Sequence, residues 1–217
     1  LIEAVCTAVP ALRVRLGSLE PRIVTEDFCR RLSRLPNLCP QFHLSMQSGC
    51  DTVLQRMRRK YDTARYYESV CLLRTWFPGC AVTTDMIVAF PGETEDEFAQ
   101  SLAFIRKCGF AEMHIFPYSR RDGTPAASMA GQHSNETKEA RSARAIALAS
   151  QMERAYQASL LGTLAPGLLE QEENGFMTGH TPTGVKVYLK ETGLHNTGKP
   201  VRLCSICQGG VLGELAS

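Results

Sequence analysis

The chain has 217 residues, of which 44% are hydrophobic and 21% charged, and a formal net charge of +2. That length suits one ordinary domain plus a small one, and the composition is that of a globular protein, not a disordered, fibrous or disulfide-scaffold one. No apolar run reaches the roughly 18 residues of a membrane span. No secretory signal opens the chain, so the expected setting is the cytoplasm, with no membrane partner.

Residues 1–9 read as the tail of an earlier helix. The chain begins with Leu, and it is expected to be the carboxy-terminal part of a longer protein whose preceding strands are absent. From there two textures alternate. Runs rich in β-branched and aromatic residues predict strands at 12–19, 42–47, 81–90 and 112–118. Helical spacing predicts helices at 26–35, 64–77 and Glu95–Cys108. Alternation of this kind predicts parallel strands joined by right-handed helical crossovers. Thr94 and Glu97 have capping-box spacing, and Gly109 falls where a left-handed C-cap would end the third of these helices.

Residues 135–161 form one long helical pattern, with Ile146, Ala149, Met152, Tyr156 and Leu160 as its apolar stripe. Gly162 ends it. After that the texture changes to five short strands with glycine punctuation, at 168–172, 175–181, 185–189, 200–207 and Gly210–Leu215, which predict a small β-barrel. The expected architecture is therefore α/β: a partial parallel (β/α) barrel over residues 1–161, closed by a long helix, and an all-β barrel over 162–217.

Nine cysteines are scattered through the chain, mostly within apolar runs, where a free thiol behaves as a small buried hydrophobe. This is the usage of a reducing compartment. The only Cys-x-x-Cys, Cys204 to Cys207, has no second pair to complete a four-ligand zinc site. Cations concentrate between residues 54 and 74, which hold Arg56, Arg58, Arg59, Lys60, Arg65 and Arg74 against Asp62 and Glu68. The segment from Thr163 is slightly acidic, with four Lys and Arg against five Asp and Glu. Any nucleic-acid footprint is thus a local patch.

The expected strands end in polar or Pro-Gly chemistry four times: Arg15-Leu-Gly-Ser-Leu-Glu-Pro21, Ser45-Met-Gln-Ser-Gly49, Thr84-Asp85 with Phe90-Pro-Gly-Glu-Thr94, and His114-Ile-Phe-Pro-Tyr-Ser119. In a parallel sheet such ends converge on one face, where ligands bind. Behind the second, Arg58, Arg59 and Lys60 are expected on a helix. A strand, a turn and a solvated surface helix would look similar.

Taken together, Arg15–Pro21, His43-Leu-Ser-Met-Gln-Ser-Gly-Cys-Asp51, Arg56-Met-Arg-Arg-Lys-Tyr61, Phe90-Pro-Gly-Glu-Thr94 and Phe116-Pro-Tyr-Ser119 resemble the radical S-adenosylmethionine methylthiotransferases. The first of these motifs resembles the bacterial branch that acts on threonylcarbamoyladenosine in tRNA. The resemblance spans essentially the whole chain and likens the terminal barrel to a TRAM domain. It implies S-adenosylmethionine, two [4Fe–4S] clusters, an electron donor and a tRNA substrate methylthiolated next to the anticodon.

Carried over position by position, it implies that Gln47 and Ser18 line the cofactor cleft. Arg59 would meet the methionine carboxylate. Glu20 would accept from the amino group or a ribose hydroxyl. Asp85 would be satisfied by a ribose or an arginine, and Phe116 would lie near the adenine. Arg56, Arg58 and Lys60, with Lys186, Lys190 and Arg202 of the barrel, are the expected RNA contacts. Phe176 and Tyr188 would either stack on bases or fill the barrel core.

The departures are specific. The family's Cys-x-x-x-Cys-x-x-Cys is absent, so neither cluster has its thiolates here and this chain alone is expected to be inactive. Ala89 stands where Gly is usual, Met46 where Leu is usual and Gln41 where His is usual. Two other readings remain: a non-catalytic RNA-binding module, and the branch acting on an aspartate of a ribosomal protein.

Overall fold

A computed structural model of the chain describes residues 1–207 and 209–216. Its first part is a parallel four-stranded sheet in sequential order, β1 (Ser18–Leu19), β2 (Gln41–Leu44), β3 (Ala81–Val88) and β4 (Glu112–Pro117). Helices α1 (Ile2–Ala8), α2 (Glu26–Leu32), α3 (Asp51–Arg56), α4 (Thr63–Trp76) and α5 (Glu95–Cys108) accompany it. The long helix α6 (Asn135–Ser159) then packs beside β4. The partial parallel barrel expected from the alternation is present.

Local chemistry sets most boundaries. Thr94 and Glu97 form the capping box at the start of α5, and Gly109 ends that helix at φ 60°. Asp62 caps α4 through the Arg65 amide, and Ser134 caps α6 through the Thr137 amide. Helix α2 stops at Leu32, three residues short of expectation, because Pro36 lies just ahead and disfavours helical geometry in the residue before it. The strand expected at 12–19 is reduced to Ser18–Leu19 plus an isolated bridge between Val14 and Leu38. It is an edge strand, and its apolar pattern alone cannot supply a pairing partner.

Every other residue of each strand faces the helices. Phe42, Leu44 and Met46 from β2 and its extension, with Val82 and Met86 from β3, meet Tyr66, Val70 and Leu73 of α4 and Phe98 and Ile105 of α5. Burying one such side chain contributes about 1.5–3 kcal/mol. On α6 the buried face is Arg141, Ala145, Leu148 and Gln157, and the expected stripe is rotated enough to leave Ile146 50% exposed.

The second part is a closed five-stranded barrel of β5 (Leu164–Glu173), β6 (Phe176–His180), β7 (Lys186–Leu189), β8 (Thr197–Cys207) and β9 (Gly210–Leu215), in the order β5-β6-β7-β9-β8. Leu169, Met177, Val187, Leu189, Val201, Leu203 and Val211 fill it. Tyr156 and Leu160 at the end of α6 pack on this core, so the helix joins the two parts. Arg13 reaches across to donate to the His180 and Pro166 carbonyls at 3.1 and 2.9 Å. No helix is long and apolar enough to cross a membrane among the described residues.

Candidate functional site

Parallel register stacks the strands' inward residues in rows. Ser18 pairs with His43, His43 with Thr83 and Thr83 with Glu112, which gives one polar row across the sheet. Asp85 opposite His114 gives the next, and Ile87 opposite Phe116 the one above it, at the carboxyl ends. The concave face is therefore polar over its floor and apolar at its rim, while the opposite face is apolar and covered by helices.

At the rim the chain leaves β2 under constraint. Gln47 takes φ 67°, yet still donates its amide to Asp85 O at 3.0 Å and accepts from Ile87 N at 2.9 Å. Left-handed geometry at a non-glycine is costly and marks a position fixed by its surroundings. Ser48 is buried against Ser101, with 3.3 Å between hydroxyl oxygens. A Cβ on Gly49 would come within 2.9 Å of the Ser101 backbone, so only glycine lets the turn rest on α5. These contacts point Gln47 back into the concavity.

The basic run does not lie on a helix, contrary to expectation. Helix α3 ends at Arg56, and Arg58 adopts φ 57°, the left-handed conformation that ends helices and is usually given to glycine. Arg59 N then donates to Leu54 O at 2.9 Å. Tyr61 ties the segment down, its hydroxyl donating to Ser45 O at 2.6 Å and lying 3.1 Å from Met46 O. Burial pushes that phenol up to about 12.

The result is a cleft of about 540 Å³ at the strand ends, lined by Gln47, Arg59, Asp85 and Phe116 together with Tyr118 and Arg121. Phe116 is 51% exposed, presenting a bare ring. Tyr118 packs edge-on against Phe90 at 5.3 Å, and its hydroxyl is shielded without a partner. The Phe90-Pro-Gly-Glu93 loop is held from behind. Glu93 is 1% exposed and Arg141 6%. Arg141 Nη1 donates to the Glu93 carboxylate at 2.8 Å and to its carbonyl at 2.9 Å, and the carboxylate also accepts the Ala89 amide at 2.7 Å. Burial raises the Glu93 carboxyl, with the Ala89 amide and Arg141 opposing it. Ala89, in the place where glycine was expected, sits at φ 57°.

Four expected cofactor residues thus share one cleft, and two do not. Ser18 lines a neighbouring trough of about 430 Å³ that shares Asp85 with the cleft. Glu20 is engaged elsewhere: it caps the turn at Pro21–Ile23 and pairs with Arg22 at 2.7 Å. Asp85 is met by His43 Nε2 at 3.4 Å, not by an arginine, and His43 Nδ1 lies 3.0 Å from Thr83 Oγ1.

The expected RNA contacts also divide. Arg56 is corrected to a structural residue. Its guanidinium is committed to Glu97 through bonds of 3.0 and 2.6 Å, and that contact, first among the causes, holds the Glu97 carboxyl down at about 2. Lys186 is paired with Glu173 at 2.6 Å, and Arg202 donates to Gly162 O at 3.3 Å. Arg58, Lys60 and Lys190 are exposed. Phe176 and Tyr188 lie outside the barrel core, as a perpendicular pair 6.2 Å apart.

His43, His114, Arg15 and Arg121 had no assigned role. For His43 the signal was available: Gln41-Phe-His-Leu-Ser-Met-Gln47 alternates strictly, which places Gln41, His43, Ser45 and Gln47 on one face.

Such a fold, with its ligand-sized cleft at the carboxyl ends of parallel strands, is that of a radical S-adenosylmethionine domain. Residues 2–105 match the model of the Radical SAM superfamily. The solved structure of coproporphyrinogen III oxidase (HemN) from Escherichia coli, a radical SAM enzyme, has the same fold at a TM-score of 0.58 and 14% identity, over 92% of this chain and 48% of that one.

Among curated proteins, the chain is 38% identical over 83% of its length to threonylcarbamoyladenosine tRNA methylthiotransferase MtaB of Bacillus subtilis. It is also 38% identical, over 86% of its length, to tRNA-2-methylthio-N(6)-dimethylallyladenosine synthase of Acidothermus cellulolyticus, and 40% identical over 85% to that of Frankia alni. The chain spans 41%, 39% and 39% of those three relatives. Its homologues are tRNA methylthiotransferases of the radical SAM class.

The residues fit the two implied cofactors unequally. A neutral amide, a guanidinium, an open aromatic ring and an unpartnered phenol suit S-adenosylmethionine. An iron–sulfur cluster is not suited: all nine cysteines are free, six are buried, and no group of three potential metal ligands exists among the described residues. Cys204 sits at a bulge in β8 between Leu203 and Ser205, and it and Cys207 belong to no metal group among the described residues.

Proposed function

We propose that the chain is the cofactor- and RNA-binding part of a tRNA methylthiotransferase acting on N6-threonylcarbamoyladenosine. The observation that carries this reading is the convergence of Gln47, Arg59, Asp85 and Phe116 on one cleft at the strand ends. Arg59 would hold the methionine carboxylate in a fork of two hydrogen bonds. Gln47 and Asp85 would bind polar groups of the cofactor, and Phe116 would cover the adenine. Held by these residues, S-adenosylmethionine would supply radical chemistry toward the nucleoside.

The residues of this chain do the positioning. The Glu93–Arg141 pair fixes the Phe90 loop, and Phe90 and Tyr118 wall the cleft against water. Cluster ligands would have to come from outside this chain. For the RNA, exposed Arg121 lines the cleft, exposed Arg58 lines the adjoining pocket, and exposed Lys60 and Arg120 are next to lining residues in sequence. Five-stranded barrels of the oligonucleotide-binding type use their second and third strands, and here those are β6 and β7, which carry Phe176 and Tyr188. The choice of threonylcarbamoyladenosine over the isopentenyl nucleoside draws on the Arg15–Pro21 motif.

The test is mass spectrometry of tRNA nucleosides from a strain lacking the gene. Loss of the methylthio group from threonylcarbamoyladenosine is expected, and its retention would exclude this substrate. Calorimetry with S-adenosylmethionine should show Arg59→Ala binding about tenfold or more weakly. Unchanged affinity would remove Arg59 from the site.

A further inference from the structure

We propose that the polar trough beside the cleft is the subsite for the N6 substituent of the substrate nucleoside, with Arg15 receiving its carboxylate. The inference rests on the threonylcarbamoyl reading above and adds the residues that would enforce it.

The trough of about 430 Å³ adjoins the cleft through Asp85 and runs down the concave face of the sheet. Its lining is almost wholly polar: Arg15, Ser18, Gln41, His43 and His114, with Glu112 on the floor. The two substituents that distinguish the relatives have opposite chemistry. An isopentenyl group is a neutral hydrocarbon, and seating it here would strip these donors and acceptors of water without replacing a bond. A threonylcarbamoyl group carries a carboxylate, a hydroxyl and urea-type N–H groups, and can satisfy them. Sites built from hydrogen-bonding groups discriminate strongly against analogues that lack the matching atoms.

Arg15 is singled out by what its neighbours do. Arg13, two residues earlier, is committed to the His180 and Pro166 carbonyls. Arg15 is exposed and forms no ion pair or side-chain hydrogen bond among the described residues, yet it lines the trough. A free guanidinium in a polar trough is a carboxylate receptor. The acidic groups are placed consistently with this. Asp85 faces His43 at 3.4 Å, and Glu112 lies 3.9 Å from His114. Each carboxylate thus has an imidazole before it, which leaves Arg15 as the trough's cation without an anion. His43, His114 and Phe116 form a file of rings, with successive centroids 6.5 Å apart, leading from the trough to the cleft. A planar base can lie along its His43 and His114 end, with its N6 side toward Arg15.

The experiment is calorimetric or saturation-transfer NMR titration of the full chain with three probes: N6-threonylcarbamoyladenosine, the methyl ester of its carboxylate, and N6-isopentenyladenosine. The wild type should prefer the free acid to its ester by about tenfold or more. Arg15→Gln should abolish that preference while leaving S-adenosylmethionine affinity unchanged, which also shows that the variant is folded. His114→Phe should shift the balance toward the isopentenyl nucleoside.

A preference for the free acid that survives in Arg15→Gln would overturn the role of Arg15 alone and leave the substrate reading standing. Equal binding of acid and ester by the wild type would likewise overturn the subsite only. Preference for the isopentenyl nucleoside, or binding of neither nucleoside, would overturn the substrate reading and this inference with it.

Discussion

The cations flanking the cleft are unpaired among the described residues, whereas two of the barrel's four Lys and Arg are engaged, Lys190 and Lys199 staying exposed. Arg121 at the cleft, Arg58 at its adjoining pocket, and Lys60 and Arg120 next to lining residues in sequence are exposed and free of ion pairs among the described residues. On the barrel Lys186 is neutralised by Glu173 and stands 5.1 Å over the Tyr188 ring, and Arg202 is turned to a carbonyl. The segment as a whole carries more acid than base. An RNA that met both would be gripped electrostatically at the cleft and by aromatic faces at the barrel. The same contrast holds inside. The cleft is braced by a buried ion pair, whereas the barrel is held by an apolar core.

The most severe way to break the contrast is to remove the brace. Arg141→Ala leaves the Glu93 carboxylate buried without its cation, which should cost about 3–5 kcal/mol. Urea denaturation measures it, and a loss below about 1 kcal/mol would refute the bracing role. The barrel offers no single polar contact whose loss should cost as much.

The second brace, Arg56 with Glu97, gives a pH signature. Glu97 is depressed to about 2 in the folded state, below its ordinary 4.5. A depressed carboxylate contributes stability that is fully present above its unfolded value and is lost as pH falls through its folded one. The wild type should therefore lose its advantage over Glu97→Gln between about pH 4.5 and 2. Parallel stability curves for the two proteins across that window would show that the pair contributes nothing.

The cation contrast is sharpened by salt. Replacing Arg58, Lys60 and Arg121 together with Ala should reduce the slope of log affinity for tRNA against log salt by about 3, about one per phosphate contact. Lys190→Ala on the barrel should change the slope by no more than about 1. The reverse ranking would move the electrostatic grip to the barrel.

The smallest expected effect is at Ala89. Its left-handed backbone costs about 1–2 kcal/mol relative to glycine, and its buried methyl returns about 0.8 kcal/mol. Ala89→Gly should raise stability by less than about 1 kcal/mol in the same denaturation assay. A decrease would mean that the methyl's packing outweighs the strain.

The sequence by itself determined the architecture. Strand–helix alternation, the capping box at Thr94 and the glycine at 109 are local signals, and local physics honours them. It also determined which stretches meet at the strand ends, because the carboxyl ends of parallel strands share one side of the sheet. What it could not determine was which side chains remain free. Arg56 and Arg58 read alike in the chain, and only the packing of α5 against α3 commits one to Glu97 and leaves the other exposed.

The same holds for Asp85, whose partner His43 is 42 positions away and is brought near by register, and for Arg141, joined to Glu93 across 48 residues. Arg13 and Arg15 are two residues apart and indistinguishable in sequence. The tertiary structure binds one to the barrel and leaves the other lining the trough. Charge pairing depends on distances of a few ångströms between segments remote in sequence, and only the folded chain sets those distances.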